Sequence, residues 1–282
     1  MRRTPIRTLL AAAALLALTL PTACTAPPER PAAGDAEVVL RTTAGDIRLL
    51  LDGRTPRHRD NFLGLVRTGF FDSLLFHRVI AGFMIQSGDP DSRHAAPGAP
   101  LGEADAGYTL PAEILYPALA HTRGALAAAR TGDDTNPGRR SSGSQFYLVW
   151  GRTFADDELQ ALARRTGTPQ PDSLRRLYAT LGGTPHLDGQ YTVFGRVAEG
   201  LDAVEAIQRA ATGPDDRPLA DIRILSAAIL REPGAPASAA AEAERPGGER
   251  AESQTSEPPV TETNASEAAA PETPNPENRP RR

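Results

Sequence analysis

An arginine, a methionine and a glutamine alternate with apolar residues within the segment Phe76–Asp89. If Ala81, Gly82 and Phe83 form a three-residue hairpin loop, Ile80 faces Met84 and Arg78 faces Gln86. Because side chains alternate along a strand, Arg78, Met84 and Gln86 then share one face. An unpaired buried arginine is costly, so this face is either solvated or part of a site. An arginine is always protonated and offers several donors in a rigid fork.

The composition excludes several other kinds of site. The chain has 282 residues and a formal net charge of -4, and all 31 of its basic residues are arginine. A charge this close to zero argues against a nucleic-acid partner. The single cysteine excludes an intramolecular disulfide and a thiolate metal cluster. The five histidines lack metal-ligand spacing, and no phosphate loop, dinucleotide fingerprint or nucleophile elbow occurs. We therefore expect no metal and no cofactor, and we expect a monomer.

Short apolar runs, each bounded by turn residues, indicate the strands that must carry this face. Eight such runs suggest a closed sheet, because closure removes exposed strand edges. One helix is predicted to start with Thr55 as N-cap and Pro56 at its first position, and a second covers about Leu201 to Ala210. The fold class is thus mainly β, an eight-stranded antiparallel β-barrel capped by two α-helices. The predicted strands are 38–40, 47–51, 76–80, 84–87, 124–129, 144–149, 192–197 and 222–229.

Four ordered blocks resemble the cyclophilin family of peptidyl-prolyl cis-trans isomerases. They are Phe76–Asp89, Gly124–Ala129, Gly143–Tyr147 and Leu187–Gly195. The resemblance extends from Glu37 to about Leu230 and implies an eight-stranded antiparallel barrel with two capping helices. That fold agrees with the one predicted from the apolar runs.

The resemblance also implies roles for individual residues. Arg78 corresponds to the catalytic arginine, and Gln86 to the amide that positions it. Gln145 and the backbone of Ala129 correspond to contacts with the substrate main chain. The walls of the proline pocket correspond to Phe83, Met84, Tyr147 and Leu187.

Three positions near the pocket depart from the usual family residues. Arg130 replaces an asparagine, which we expect to alter substrate preference rather than abolish activity. His186 stands where many members have tryptophan or another aromatic residue, which implies weak binding of the family's cyclic-peptide inhibitor. Tyr191 replaces a histidine, and either residue can close the pocket wall with a polar tip. We include all three among the expected substrate-binding residues.

The implied activity is rotation about X-Pro peptide bonds of proline-containing polypeptides, including unfolded exported proteins. Such a reaction makes and breaks no covalent bond, so it needs no nucleophile. The alternative is a membrane-tethered module that binds proline peptides with little catalysis. Retention of both Arg78 and Gln86 favours the enzyme, because binding alone would need only the apolar pocket.

The two ends of the chain predict export and attachment. Residues 1–23 read as a signal peptide, with a basic start and a 12-residue apolar run from Leu9 to Leu20. Cys24 follows small residues and resembles the lipidated cysteine of bacterial lipoproteins, although Pro21 holds the place where leucine is usual. We expect a lipid anchor in the cell envelope, with the outer membrane favoured. Ordinary cleavage to a soluble periplasmic or secreted protein is the alternative.

The remaining segments divide the mature chain. Residues 24–36 read as a flexible Pro/Ala tether, 37–231 as the isomerase domain and 232–282 as a disordered tail rich in Glu and Pro. Within the domain, residues 152–183 form an insertion with two stretches of helical periodicity, which predicts a helical hairpin. Two readings of this insertion stay open, a packed surface decoration and an extension of the substrate groove.

Overall fold

The computed structural model describes residues 34–235. That part of the chain folds into ten β-strands and four α-helices. The helices are α1 Pro56–Arg67, α2 Asp156–Thr166, α3 Asp172–Thr180 and α4 Leu201–Gln208. The strands are β1 Ala36–Thr42, β2 Gly45–Leu51, β3 Arg78–Ile80, β4 Met84–Ser87, β5 Thr109–Leu110, β6 Ala125–Ala128, β7 Ser141–Ser142, β8 Phe146–Val149, β9 Val193–Glu199 and β10 Ile224–Arg231.

Eight of these strands form one antiparallel sheet in the order β10-β1-β2-β9-β6-β8-β4-β3. All eight predicted strands are present in it. The predicted hairpin register is confirmed, because Arg78 pairs with Gln86 and Ile80 with Met84. Strands β5 and β7 form a separate two-stranded ribbon.

The prediction of a closed barrel is wrong, because the sheet is curled and open between its edge strands β3 and β10. The predicted strand 76–80 starts only at Arg78, since its first residues pair elsewhere. The backbone N–H of Phe76 donates to Ile222 O at 2.9 Å, and Leu75 forms one isolated bridge with Arg223. A few backbone bonds thus tie residues 73–76, which precede β3, to Ile222 and to Ile224 at the start of β10, and no continuous ladder joins β3 and β10.

Helix α1 begins as predicted after Thr55, but its first turn is capped from a distant loop. The Thr55 hydroxyl makes no cap and donates instead to Asp52 O at 3.1 Å. The carboxylate of Glu113 accepts the backbone N–H of Arg57 at 3.2 Å and of His58 at 3.0 Å. An acidic group at a helix N-terminus also interacts favourably with the helix dipole. Sequence spacing could not indicate this cap, because Glu113 lies 55 residues beyond His58.

The two faces of the large sheet carry different apolar clusters. The inner face packs with α1 and α4 into the main core, which includes Ile85, Leu126 and Phe146. The outer face carries a smaller cluster around Met84 and Tyr147. Successive residues of one strand therefore alternate between the main core, which stabilises the fold, and the outer face, which carries the candidate site.

Both predicted helices of the insertion are present as α2 and α3. They share an apolar cluster of Leu159, Leu174 and Tyr178. The insertion leaves and rejoins the sheet where Gly151 and Gly183 touch, since a Cβ at Gly151 would lie only 2.0 Å from Gly183 O. Only glycine fits such a close backbone approach.

Several predictions fall outside the described part of the chain. They are the signal peptide at 1–23, the lipidated Cys24, most of the tether at 24–36 and nearly all of the tail at 232–282. Within residues 34–235, no helix combines the length and the apolar character needed to cross a membrane.

Candidate active site

A cavity of about 610 Å³ opens on the outer face of the sheet. Nine of the eleven residues predicted to catalyse or bind substrate line it, and Gln145 and His186 do not. The nine come from four different parts of the chain, so the fold brings the separate sequence blocks together. They are Arg78, Phe83, Met84, Gln86, Ala129, Arg130, Tyr147, Leu187 and Tyr191.

Arg78 combines solvent access with a specific anion partner. Its Nε–H donates to the Asp216 carboxylate at 3.2 Å, and the two side chains are 42% and 43% exposed. An exposed ion pair of this kind contributes about 0–1 kcal/mol. The pair therefore orients the guanidinium weakly and leaves its other N–H groups available.

The Gln86 amide bonds to Gln145 rather than to Arg78. Gln86 Nε2 donates to Gln145 Oε1 at 2.8 Å, and Gln145 Nε2 donates to the carbonyl oxygens of Gly102 at 2.8 Å and Ala104 at 2.7 Å. Gln145 thereby fixes the loop at 102–104 that borders the cavity. The direct role of Gln86 in positioning Arg78 stays a prediction, as does the contact of Gln145 with substrate.

Ala129 and Arg130 border the cavity, and both already form hydrogen bonds within the protein. The Ala129 N–H donates to Gln145 O at 3.0 Å, and its carbonyl accepts the Ser142 N–H at 2.8 Å. The Arg130 guanidinium lies 4.5 Å from the centre of the Tyr191 ring and donates to Gln190 O at 3.0 Å. Arg130 thus stacks on Tyr191 and fixes this wall, a contact that asparagine could not make.

A buried hydrogen-bond network holds the Tyr147 wall. The Asp188 carboxylate accepts from the Tyr178 hydroxyl at 2.6 Å and from His121 Nδ1 at 3.1 Å. A carboxylate only accepts, so Nδ1 carries the proton, and His121 Nε2 accepts the Tyr147 hydroxyl at 3.0 Å. Burial raises the pKa of Tyr147 well above its usual value, so it stays a neutral donor. Tyr178 belongs to the insertion, which is therefore bonded to the pocket wall.

Two histidines flank the cavity, and burial lowers the pKa of both. His186 stacks on Phe83 with ring centres 5.5 Å apart, and burial lowers its pKa. His77 lines the cavity but is 3% exposed, and neither ring nitrogen has a hydrogen-bond partner among the described residues. Burial lowers the pKa of His77 to about 4, with Arg78 and Arg217 adding to the effect against Asp89.

The carboxylates of the cavity were missed by the sequence prediction. Glu103, Asp215 and Asp216 all line it. Asp215 and Asp216 both have φ of 58°, a left-handed conformation that aspartate tolerates better than most residues. The turn-rich stretch from Gly213 to Pro218 signals a loop. Nothing in its spacing connects it to Arg78, which lies 138 residues earlier. Within residues 34–235, no three His, Cys, Asp or Glu side chains group as metal ligands would.

Comparisons with known proteins agree with this geometry. Residues 37–229 match the model of the family described as Cyclophilin type peptidyl-prolyl cis-trans isomerase/CLD. A Staphylococcus aureus protein named "Putative peptidyl-prolyl cis-trans isomerase" is 36% identical over 195 residues, which cover 68% of this chain and 91% of that protein. A protein of the same name from Staphylococcus saprophyticus is 36% identical over 197 residues, covering 70% and 92%.

Solved structures point to the same fold. A Cryptosporidium parvum cyclophilin type peptidyl-prolyl cis-trans isomerase matches with a TM-score of 0.50 and 25% identity, covering 69% of this chain and 97% of that one. The structure of that protein in the presence of the dipeptide Ala-Pro also matches, with a TM-score of 0.50.

The chain belongs to the cyclophilin-type peptidyl-prolyl cis-trans isomerases. It is an enzyme of that class, with a helical insertion and an open half-barrel sheet.

Proposed function

We propose that the 610 Å³ cavity binds an X-Pro segment of a polypeptide and that Arg78 stabilises the twisted amide during its rotation. The proline ring packs on the apolar wall formed by Phe83, Met84, Tyr147 and Leu187. One observation supports this proposal: Arg78 and the apolar wall line the same cavity. The hairpin register brings Arg78 to the same face as Met84.

The chemistry requires only binding and electrostatic stabilisation. Rotation about a peptide bond costs roughly 18–20 kcal/mol because C–N resonance is lost. The cis and trans forms of an X-Pro bond lie within about 1 kcal/mol of each other, yet exchange takes tens to hundreds of seconds. In the twisted state the lone pair is localised on nitrogen and can accept a hydrogen bond. A thousandfold acceleration needs about 4 kcal/mol, within reach of one preorganised donor together with ring binding.

The N–H groups of Arg78 that have no partner within residues 34–235 suit this task. Arginine has five N–H donors. Asp216 engages the Nε–H, so the terminal groups can donate to the amide nitrogen while Asp216 limits the motion of the guanidinium. The apolar wall fixes the ring, and the acyl side then turns in the open part of the cavity.

The substrates we propose are proline-containing segments of exported proteins in the cell envelope. The support is the stretch at residues 1–23 that resembles a signal peptide. Cys24 follows it directly, and we propose that this cysteine carries a lipid anchor. The favoured place is the outer membrane, facing the periplasm. Without lipidation, the same enzyme would be soluble in the periplasm or secreted.

Exchange of an Ala-Pro peptide, followed by NMR with and without the protein, tests the function. We expect catalysed exchange by the parent and a loss of kcat/KM of about 100-fold or more in Arg78→Ala, the usual cost of one preorganised donor. Arg41→Ala changes an exposed arginine outside the cavity and serves as the matched control.

Each other outcome has a definite meaning. Catalysis that survives in Arg78→Ala removes our role for that residue and keeps the isomerase. A folded parent that matches only the uncatalysed rate supports the alternative of a tethered proline-binding module.

A further inference from the structure

A second cavity, of about 470 Å³, adjoins the first at the Phe83 ring. The hairpin loop after β3 forms one side of it, and helix α2 of the insertion forms another. His186 lines the second cavity and stacks on Phe83, which lines both cavities. A polypeptide bound with its proline at Phe83 would therefore meet this second cavity within a few residues, since each extended residue spans about 3.3–3.6 Å.

The second cavity has apolar walls and an excess of positive charge. Phe154 and Leu162 supply apolar surface. Arg152 is compensated by Glu158, with Nη2 and Oε1 2.7 Å apart, and its guanidinium lies 3.9 Å from the centre of the Phe154 ring. Arg165 also lines the cavity, is exposed, and forms no ion pair within residues 34–235.

The insertion holds these walls in place before any substrate arrives. Thr122 and Arg152 each bridge to the backbone of Gly183 at the root of the insertion. Tyr178 is fully buried and donates to Asp188. A preformed wall lowers the ordering cost of binding a flexible chain.

We propose that this second cavity is a subsite for the residues that flank the substrate proline, and that Arg165 selects an acidic side chain there. The inference rests on the proposed isomerase function and adds the charge preference of the enzyme. The planar guanidinium matches the planar geometry of a carboxylate, and that of Arg165 has no ion-pair partner within the described residues. Two features of the site agree with this occupant: its continuity with the proline-binding cavity and its uncompensated positive charge.

Arg165 also lies in the last turn of α2, where a cation interacts favourably with the helix dipole. The neighbouring Arg164 provides the control for that purely structural role. It is exposed in the same turn but does not line the cavity. The variants Arg165→Ala and Arg164→Ala thus lose the same charge from the same turn, and only the first alters the proposed subsite.

The test uses the purified protein and ten-residue peptides with one central Ala-Pro. Glu, Gln or Lys is placed two or three positions before the proline in one series and after it in the other. A short uncharged Ala-Pro peptide is measured alongside. We expect a three- to tenfold higher kcat/KM for Glu than for Lys in one series, with Gln between. Arg165→Ala should bring this ratio close to one, and Arg164→Ala should preserve it.

The short peptide separates the two proposals. If it is turned over normally but the ratio of Glu to Lys is near one in both series, the subsite is overturned and the isomerase stands. A ratio that survives in Arg165→Ala also overturns it. Absence of turnover on the short peptide would overturn the proposed function, and the subsite with it.

Discussion

At the residue scale, burial beside positive side chains keeps His77 in its neutral form. The ring is buried beside Arg78, and its two nitrogens lack partners among the described residues. A second positive side chain, Arg217, adds to the effect of burial, so the pKa is lowered from 6.5 to about 4. The folded protein therefore keeps His77 neutral through the range in which an unfolded chain would protonate it.

This depression makes stability depend on pH. Between pH 6.5 and about 4 the unfolded state binds the proton and the folded state does not, so the free energy of unfolding falls as the pH falls. We expect His77 to contribute about 2 kcal/mol to the fall between pH 7 and 5. His77→Leu should lose that part of the pH dependence in urea unfolding, whereas His94→Leu, at an exposed position, should retain it. Equal slopes for the parent and His77→Leu would contradict the burial argument.

The residues of the site differ in how well the sequence reveals them. Arg78, Met84 and Gln86 could be placed on one face because a short hairpin has few registers, and alternation does the rest. Asp216 could not be predicted, because its contact with Arg78 depends on how a distant loop crosses the end of the sheet. The bond from Gln86 to Gln145 was missed for a similar reason, since a long amide has several partners within reach.

At the element scale, the insertion and strand β8 are joined through side chains rather than backbone pairing. Tyr178 on α3 reaches Tyr147 on β8 through Asp188 and His121. All four side chains of this network are buried, so the removal of one donor leaves an unsatisfied polar group. Networks of this kind also polarise their members, so the loss of one bond weakens the next.

The network predicts that Tyr147 and Tyr178 are energetically coupled, although their hydroxyls are not hydrogen-bonded to each other. Tyr178→Phe should lower the free energy of unfolding by about 1–3 kcal/mol, because the Asp188 carboxylate loses a donor. Tyr147→Phe leaves His121 Nε2 without its donor. The double variant should deviate from additivity by about 0.5 kcal/mol or more in urea unfolding.

Activity distinguishes positioning from mere stability in these variants. We expect Tyr147→Phe and Tyr178→Phe to raise KM for a proline peptide more than they lower kcat, since the wall that holds the ring loosens. Tyr116→Phe is the control, because that hydroxyl donates to Pro169 O at 2.8 Å outside the network. Strict additivity of the two changes, with KM at the parent value, would contradict coupling through Asp188 and His121.

The strands and helices were predictable from local patterns, whereas their closure was not. Alternation and turn residues specify where each strand lies. Closure depends on where the last ladder stops, and here Phe76 pairs with Ile222 before β3 begins. The sequence of β3 alone could not show that its edge would stay unpaired with β10.

At the scale of the whole molecule, stability and function occupy opposite faces of one sheet. The core lies between the inner face and the helices α1 and α4, and the cavity opens on the outer face. A substitution in the cavity, at Arg130 or Tyr191 for example, therefore changes the outer face without removing a side chain from the main core. The same separation lets the insertion extend the outer face without entering the core.

This arrangement also predicts that attachment and catalysis are independent. Gly34, the first described residue, follows Cys24 by ten positions. Ten extended residues span at most about 35 Å, enough to hold the domain close to a membrane surface. Because the cavity is built entirely within residues 34–235, a change at Cys24 alters no group that lines it.

We therefore expect Cys24→Ala, in the full chain expressed in a bacterium, to move the protein from the membrane fraction to the soluble fraction. Incorporation of labelled fatty acid should be lost, and kcat/KM on an Ala-Pro peptide should stay within about twofold of the parent. Arg78→Ala is the reciprocal control, since it should stay membrane-bound and lose activity. A parent that is already soluble and unlabelled would contradict the anchor and leave the isomerase untouched, because Cys24 lies outside residues 34–235, which build the cavity.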